Sequence, residues 1–196
     1  IYALRLKVGT DGLVSEVETL IARKGDSNAF APHRLQLAEP VFDWIEPAPL
    51  RRSRAELIRV ADGYFDAVER SSAKDASISP SCNRVENGLR TTNNAAAGLP
   101  FDCREGMRIF GYIDRVRDRR YPLVDEERGL VWSSAVLEVP KDSVLTLVVD
   151  GKTIERPQAE RSIFLSELFK IVDGQVEAID VVVRNMHKHA ATGWTD

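Results

Sequence analysis

Cysteine and histidine are scarce in this chain, which holds two of the first and three of the second among 196 residues. Cys82 and Cys103 fit one disulfide or two buried thiols, and are too few for a structural zinc site without histidine help. His33, His187 and His189 have no metal-motif spacing to them, so no metal is expected. No apolar run approaches the roughly 20 residues that span a bilayer. An excess of positive charge is missing too: the net charge is −3 and the pI near 5.7, against a nucleic-acid or membrane partner. No signal peptide is visible, and the chain opens on Ile1-Tyr2-Ala3-Leu4-Arg5-Leu6 without Met, as if inside a strand. Ser-His-Asp order, a phosphate-binding glycine loop and a catalytic cysteine motif are all lacking. Composition is otherwise ordinary for a globular protein, 43% hydrophobic and 29% charged.

What is present begins with a hairpin. Tyr2 to Val8 and Leu13 to Ala22 read as strands about a Gly9-Thr10-Asp11-Gly12 turn. The pattern returns as Leu168-Phe169-Lys170-Ile171-Val172-Asp173-Gly174-Gln175-Val176, with Glu18 falling opposite Asp180, which suggests a repeated domain. Residues 24–53, with Pro32, Pro40, Pro47 and Pro49, read as a linker whose Phe42, Trp44 and Ile45 pack on something. Ser53 and Glu56 form a capping box. Leu57, Val60, Ala61, Tyr64, Phe65 and Val68 then mark one buried helical stripe. Ser71 to Pro80 is irregular or a short helix, Asn83 to Thr92 a strand bent at Gly88, and Asn93 to Pro100 a small-residue rim or lid. Asp102 to Phe110 is a short helix. Strands follow at 112–124, 129–139, 163–172 and 175–184, with a further short one at Val144 to Val149. Helix first and long antiparallel strands after it give an α+β domain with helices on a curved sheet.

Arg115 to Val131 packs nine charges into seventeen residues, yet carries Val, Tyr and Leu at strand spacing. It reads as two strands about a polar turn at Asp125 to Gly129. Alternation sets Arg115, Arg117, Arg119 and Tyr121 on one face and Asp114, Val116, Asp118 and Arg120 on the other; neither is an ordinary core face. Arg117 and Asp118 are expected to be largely buried.

Pro80, Cys82, Arg84, Glu86-Asn87-Gly88, Thr91-Thr92-Asn93, Arg115 to Val131, Glu167-Leu168-Phe169-Lys170 and Gly193-Trp194 together resemble a SnoaL-like family of the nuclear transport factor 2-like superfamily. That family is mostly fungal, often secreted and often built of two such domains in tandem. The resemblance implies a cone-shaped curved antiparallel sheet with packed helices. It divides the chain into 1–23, the end hairpin of a partial first repeat; 24–53, a packed linker; and 54–196, a complete domain. The expected partners are a small-molecule ligand or substrate and either a missing N-terminal segment or a second copy, in a chain that is a piece of a longer protein. Secretion is implied, with a cytoplasmic location as the alternative, and an oxidising compartment favours a Cys82–Cys103 disulfide.

Enzymes of this superfamily move protons in a dry cone without cofactors, using acids, histidines and tyrosines. The resemblance therefore makes Asp118, Asp180 and His187 the candidates for catalysis. Arg117, Arg119, Glu86, Arg84 and Tyr121 are the candidates for substrate binding. Against these stand structural roles: an ion-pair lattice for the arginines and Asp118, a pair for Arg84 with Glu86, solvent for Asp180 and an exposed tail for His187. The acidic turn from Asp125 to Arg128 either stays exposed, caps helix termini or receives the arginines before it. The expected activity is that of a cofactor-independent lyase or isomerase on a small oxygenated molecule, the alternatives being a binding module or a structural domain.

Overall fold

A computed structural model describes residues 1–35, 39–149 and 151–193. Trp194 of the motif lies outside them. Strands β1 (Tyr2–Val8) and β2 (Val14–Ile21) form a hairpin sheet of their own. Three 3-10 turns, Pro32–Arg34, Pro40–Asp43 and Ala48–Leu50, then lead to helix α1 (Arg54–Arg70). Strands β3 (Ile78–Glu86) and β4 (Leu89–Arg90), a 3-10 turn at Ala95–Ala97, helix α2 (Cys103–Gly106) and the 3-10 segment Met107–Tyr112 follow. The remaining strands are β5 (Arg115–Asp125), β6 (Leu130–Val139), β7 (Val144–Val149), β8 (Lys152–Pro157), β9 (Arg161–Val172) and β10 (Gln175–Met186).

Six of these strands make one curved, unclosed sheet in the order β4-β3-β10-β9-β6-β5, the α+β arrangement expected of a SnoaL-like chain. It is not wholly antiparallel, as expected from sequence: β3 runs parallel to β10. Their register jumps from Val176↔Ile78 to Ala178↔Asn83, so Pro80, which has no N–H for a ladder, sits in the irregularity. That is why the strand begins several residues before the expected Asn83. Strand β8 was not expected; its residues are exposed throughout and show no alternation.

Helix α1 begins at the capping box: the Ser53 hydroxyl accepts from Glu56 N–H, and the Glu56 carboxylate accepts from Ser53 N–H at 2.9 Å. Glu126 of the acidic turn adds a second acceptor, taking the Arg54 N–H at 2.7 Å. Arg51 reaches Glu127 at 3.0 Å, so the acids of the turn meet the helix start and the linker rather than the arginines preceding them. Ser71 in the left-handed conformation ends the helix, its N–H and that of Ser72 turning back to Val68 and Ala67 carbonyls. All six residues of the expected stripe are buried, and Tyr64 and Phe65 meet Phe169 of β9 edge-to-face at 5.2 and 5.6 Å. Burial of each large apolar side chain here contributes roughly 1.5–3 kcal/mol.

The linker is pinned by polar contacts more than by its aromatics. Trp44 and Ile45 are exposed, against expectation, and Phe42 is half-buried. Buried Lys170 instead donates to the Trp44 carbonyl at 2.6 Å and to the Arg128 carbonyl. Asn87 bonds Ala29 and Val183 while Gly88, at φ +80, passes so close to Ala31 that a Cβ would sit 2.3 Å from its carbonyl oxygen. Asn87-Gly88 is thus turn chemistry. Cys82 and Cys103 are joined, tying β3 to α2.

The charged stretch docks α1 onto edge strand β5. Arg119 meets Asp62, Asp66 and Glu69 at 3.1, 2.7 and 3.0 Å, and Tyr121 donates to Asp62 at 2.5 Å. Asp118 has φ +53, and the β5–β6 register shifts on either side of Arg120, so simple alternation fails there. Arg117 is half-buried against Glu138 at 2.6 Å, but the Asp118 side chain is 44% exposed beside it; the expected burial of Asp118 is corrected.

Candidate active site

A cavity of about 530 Å³ lies between α1, the concave side of the sheet, the 3-10 segment Met107–Tyr112 and the β7–β8 hairpin. Its position follows from strand periodicity. On β9 the odd positions Ile163, Leu165 and Glu167 face it, and on β10 Val181 and Val183 do. Phe110, Leu137, Leu145 and Leu147 supply further apolar wall, and Ala97, Gly98 and Leu99 of the small-residue loop form part of the lining.

Two of the expected binding residues are here. Arg84 is 2% exposed and held from three sides: Nε to Thr91 Oγ1 at 3.1 Å and to Glu86 at 2.9 Å, Nη1 to Tyr64 Oη at 3.1 Å. Its guanidinium stacks on Phe110 at 4.9 Å. Burial alone disfavours its charged form, but Tyr64 and Glu86 outweigh that and raise its pKa. Nη2 carries no hydrogen bond among the described residues.

The residue that sequence reasoning missed is Glu167. It is 3% exposed, lines the cavity, and its carboxyl has no hydrogen bond among the described residues. Burial lifts its pKa to about 8; Arg84 pulls it down and Glu86 pushes it up. The signal was available: Glu167 is the one acid among Ile163, Leu165, Phe169 and Ile171, an otherwise apolar inward row. Tyr64 was read as core and is core, but its hydroxyl belongs to the same cluster, and burial raises its pKa. Burial pushes cavity-lining Tyr112 up to about 12.

The other expected residues stand elsewhere. Asp118, Arg117, Arg119 and Tyr121 belong to the β5 lattice and do not line the cavity. Asp180 faces away from it between inward Ile179 and Val181; burial and then Glu39 raise its pKa. His187 is exposed just past β10. Among the described residues no group of three or more His, Cys, Asp or Glu is gathered as metal ligands, and no helix is long and apolar enough to cross a membrane.

The cluster has the parts of an acid–base site: a carboxyl able to give or take a proton near neutral pH, and a fixed cation beside it. Residues 50–183 match a family model described as "Domain of unknown function (DUF8021)". A search of curated proteins gives no match. Similar solved structures include AusH from Aspergillus nidulans, at 15% identity and TM-score 0.44 over 67% of this chain and 85% of that one. PrhC from Penicillium brasilianum gives 12%, 0.40, 66% and 81%. BvnE pinacolase from Penicillium brevicompactum gives 10%, 0.39, 72% and 89%.

Proposed function

From a chain that belongs to the DUF8021 family, we propose a cofactor-independent acid–base enzyme, a lyase or isomerase acting on a small oxygenated organic molecule. The observation that carries it is Glu167: a deeply buried carboxyl, free of hydrogen bonds among the described residues, facing an apolar-walled cavity with a pKa lifted to about 8. A carboxyl kept only for packing has no reason to remain unpaired there.

As carboxylate, Glu167 takes the proton from a carbon beside a carbonyl. The electron pair left on that carbon moves onto the carbonyl oxygen, where Arg84 Nη2 meets the developing charge. The carboxylic acid so formed then returns its proton. Delivered to another carbon, it completes an isomerisation; delivered to a hydroxyl one carbon further on, it releases water as the carbonyl reforms and a double bond is left. Tyr64 and Glu86 hold Arg84 in place throughout. The reading includes secretion, since the disulfide suits an oxidising compartment.

Hydrogen–deuterium exchange at the α-carbon of aryl and alicyclic ketones, 2-tetralone first, tests the reaction by NMR in D2O. The protein should accelerate exchange, with a rate rising to a plateau above about pH 8 as Glu167 ionises. Glu167→Gln should lower the rate by about 10²–10⁴-fold while ketone binding stays within a few-fold. Binding without acceleration from pH 6 to pH 10 would make this a binding module instead.

A further inference from the structure

Resting on the reading of this cavity as a small-molecule site, we infer that its ligand is an organic oxyanion, with the anionic group held at the rim by Arg156 and Arg161 and an apolar body inside. Among the described residues, five charged side chains line the cavity: Arg84, Glu86, Arg156, Arg161 and Glu167. Arg84 and Glu86 neutralise each other at 2.9 Å. Glu167, with its carboxyl largely protonated at neutral pH, contributes little opposing charge. The two remaining guanidiniums have no carboxylate partner among the described residues.

Arg161 is nonetheless built in. Its Nε donates to Asn185 Oδ1 at 3.0 Å, Nη1 to the Ala159 carbonyl at 2.8 Å, and Nη2 to Gln158 Oε1 at 3.0 Å. All three acceptors are neutral, so they fix the fork without cancelling its charge. Arg156 projects from β8, on the same hairpin whose Leu145, Leu147 and Ile154 line the cavity. Arg156 is exposed while Glu167 and Arg84 are buried, which sets the polarity of the site: cations at the rim, the acid–base pair within. In a chain of net charge −3, two uncancelled cations on one apolar cavity run against the overall sign and focus its field on an anion. Guanidinium forks match carboxylate and phosphate geometry alike. The volume, about 530 Å³, suits a molecule of one or two rings.

Fluorescence titration at pH 7 in low salt tests this with 1-naphthylacetic acid against its methyl ester, and 1-naphthyl phosphate against 1-naphthol. At least one anion should bind about tenfold or more tightly than its neutral counterpart, a preference that shrinks with added salt. The pair with the larger preference identifies carboxylate or phosphate as the group. Arg156→Met, a change at an exposed position, should remove most of the preference and leave affinity for the neutral probes unchanged; Arg161→Met should do the same. Equal binding of anions and neutral counterparts by the wild type would overturn the inference. So would an undiminished preference in a folded R156M/R161M double variant. Glu167→Gln should keep the anion preference, so failure of the proton-transfer reading and failure of this one are separately visible.

Discussion

At the scale of single residues, Glu167 carries a stability signature as well as the proposed chemistry. Its folded pKa of about 8 lies above the ordinary glutamate value of 4.5, so between those values the native state holds a proton the unfolded chain has lost. Stability contributed by the neutral carboxyl is therefore complete below about pH 4.5 and is lost as pH rises to about 8, at up to about 1.4 kcal/mol per pH unit. Glu167→Gln cannot ionise and should flatten that slope, making the variant more stable than wild type by roughly a few kcal/mol at pH 8.5 in urea denaturation. Equal slopes for the two proteins would mean the carboxyl is hydrated. Asp118 is the contrast. Exposed beside Arg117 at φ +53, a conformation Asn tolerates, it should accept Asp118→Asn at a cost under about 1 kcal/mol and with exchange activity retained. Loss of activity in that variant would return Asp118 to the site. Charge density drew attention to Arg115–Val131, whereas the acid that faces the cavity stands alone among apolar neighbours. Isolation within an inward row carried more information than clustering did.

At the scale of elements, the arginine stretch is a clamp between α1 and β5. Arg119 gathers Asp62, Asp66 and Glu69 from successive turns of one helix face, and removing it leaves three carboxylates to repel one another. The acids are 31–44% exposed, so water and salt screen much of this. Arg119→Met should cost about 1–2 kcal/mol at low ionic strength and less at high salt. A cost independent of salt would point to lost packing on Phe65, 5.8 Å from the guanidinium, rather than to charge. The Cys82–Cys103 bridge closes a separation of 21 residues, and Cys82→Ala with Cys103→Ala should lose roughly 3 kcal/mol on chemical denaturation. Both cysteines are fully buried, so mild reductant should leave the folded protein oxidised. Elements with a local chemical signature were legible: the capping box, the Asp-Gly turn and the helical stripe each lie where expected. The first half of β3 and the whole of β8 were not, because one hides Pro80 in an irregular parallel pairing and the residues of the other are exposed throughout.

At the scale of the whole molecule, the order of elements disclosed an α+β domain, but not which sheet face lines the cavity. That depends on bulges such as the one at Asp118, which move side chains between environments without a mark in the sequence. The N-terminal hairpin shows the same limit from another side. Its match to β9 and β10 equates Leu6, Val8, Val14 and Val17 with Phe169, Ile171, Val176 and Ile179. The latter four are all buried, while the hairpin's four are all exposed, along with Tyr2 and Leu4. That row of the hairpin is thus apolar yet exposed. Its likeness to a core row supports the proposal that the hairpin comes from a repeated unit. The hairpin meets the domain through Glu18 and Arg120 at 3.0 Å, and a groove of about 450 Å³ separates it from Trp132 and Ser134. Among the described residues none before Ser27 lines the concave cavity. Deleting residues 1–23 should therefore leave the far-UV spectrum of the remaining domain and its affinity for 1-naphthylacetic acid within about twofold, and should reduce binding of hydrophobic dyes, because the largest row of exposed apolar side chains goes with the deletion. A truncated chain that fails to fold, or one that folds but loses the probe, would show that the hairpin supports the concave site through the sheet.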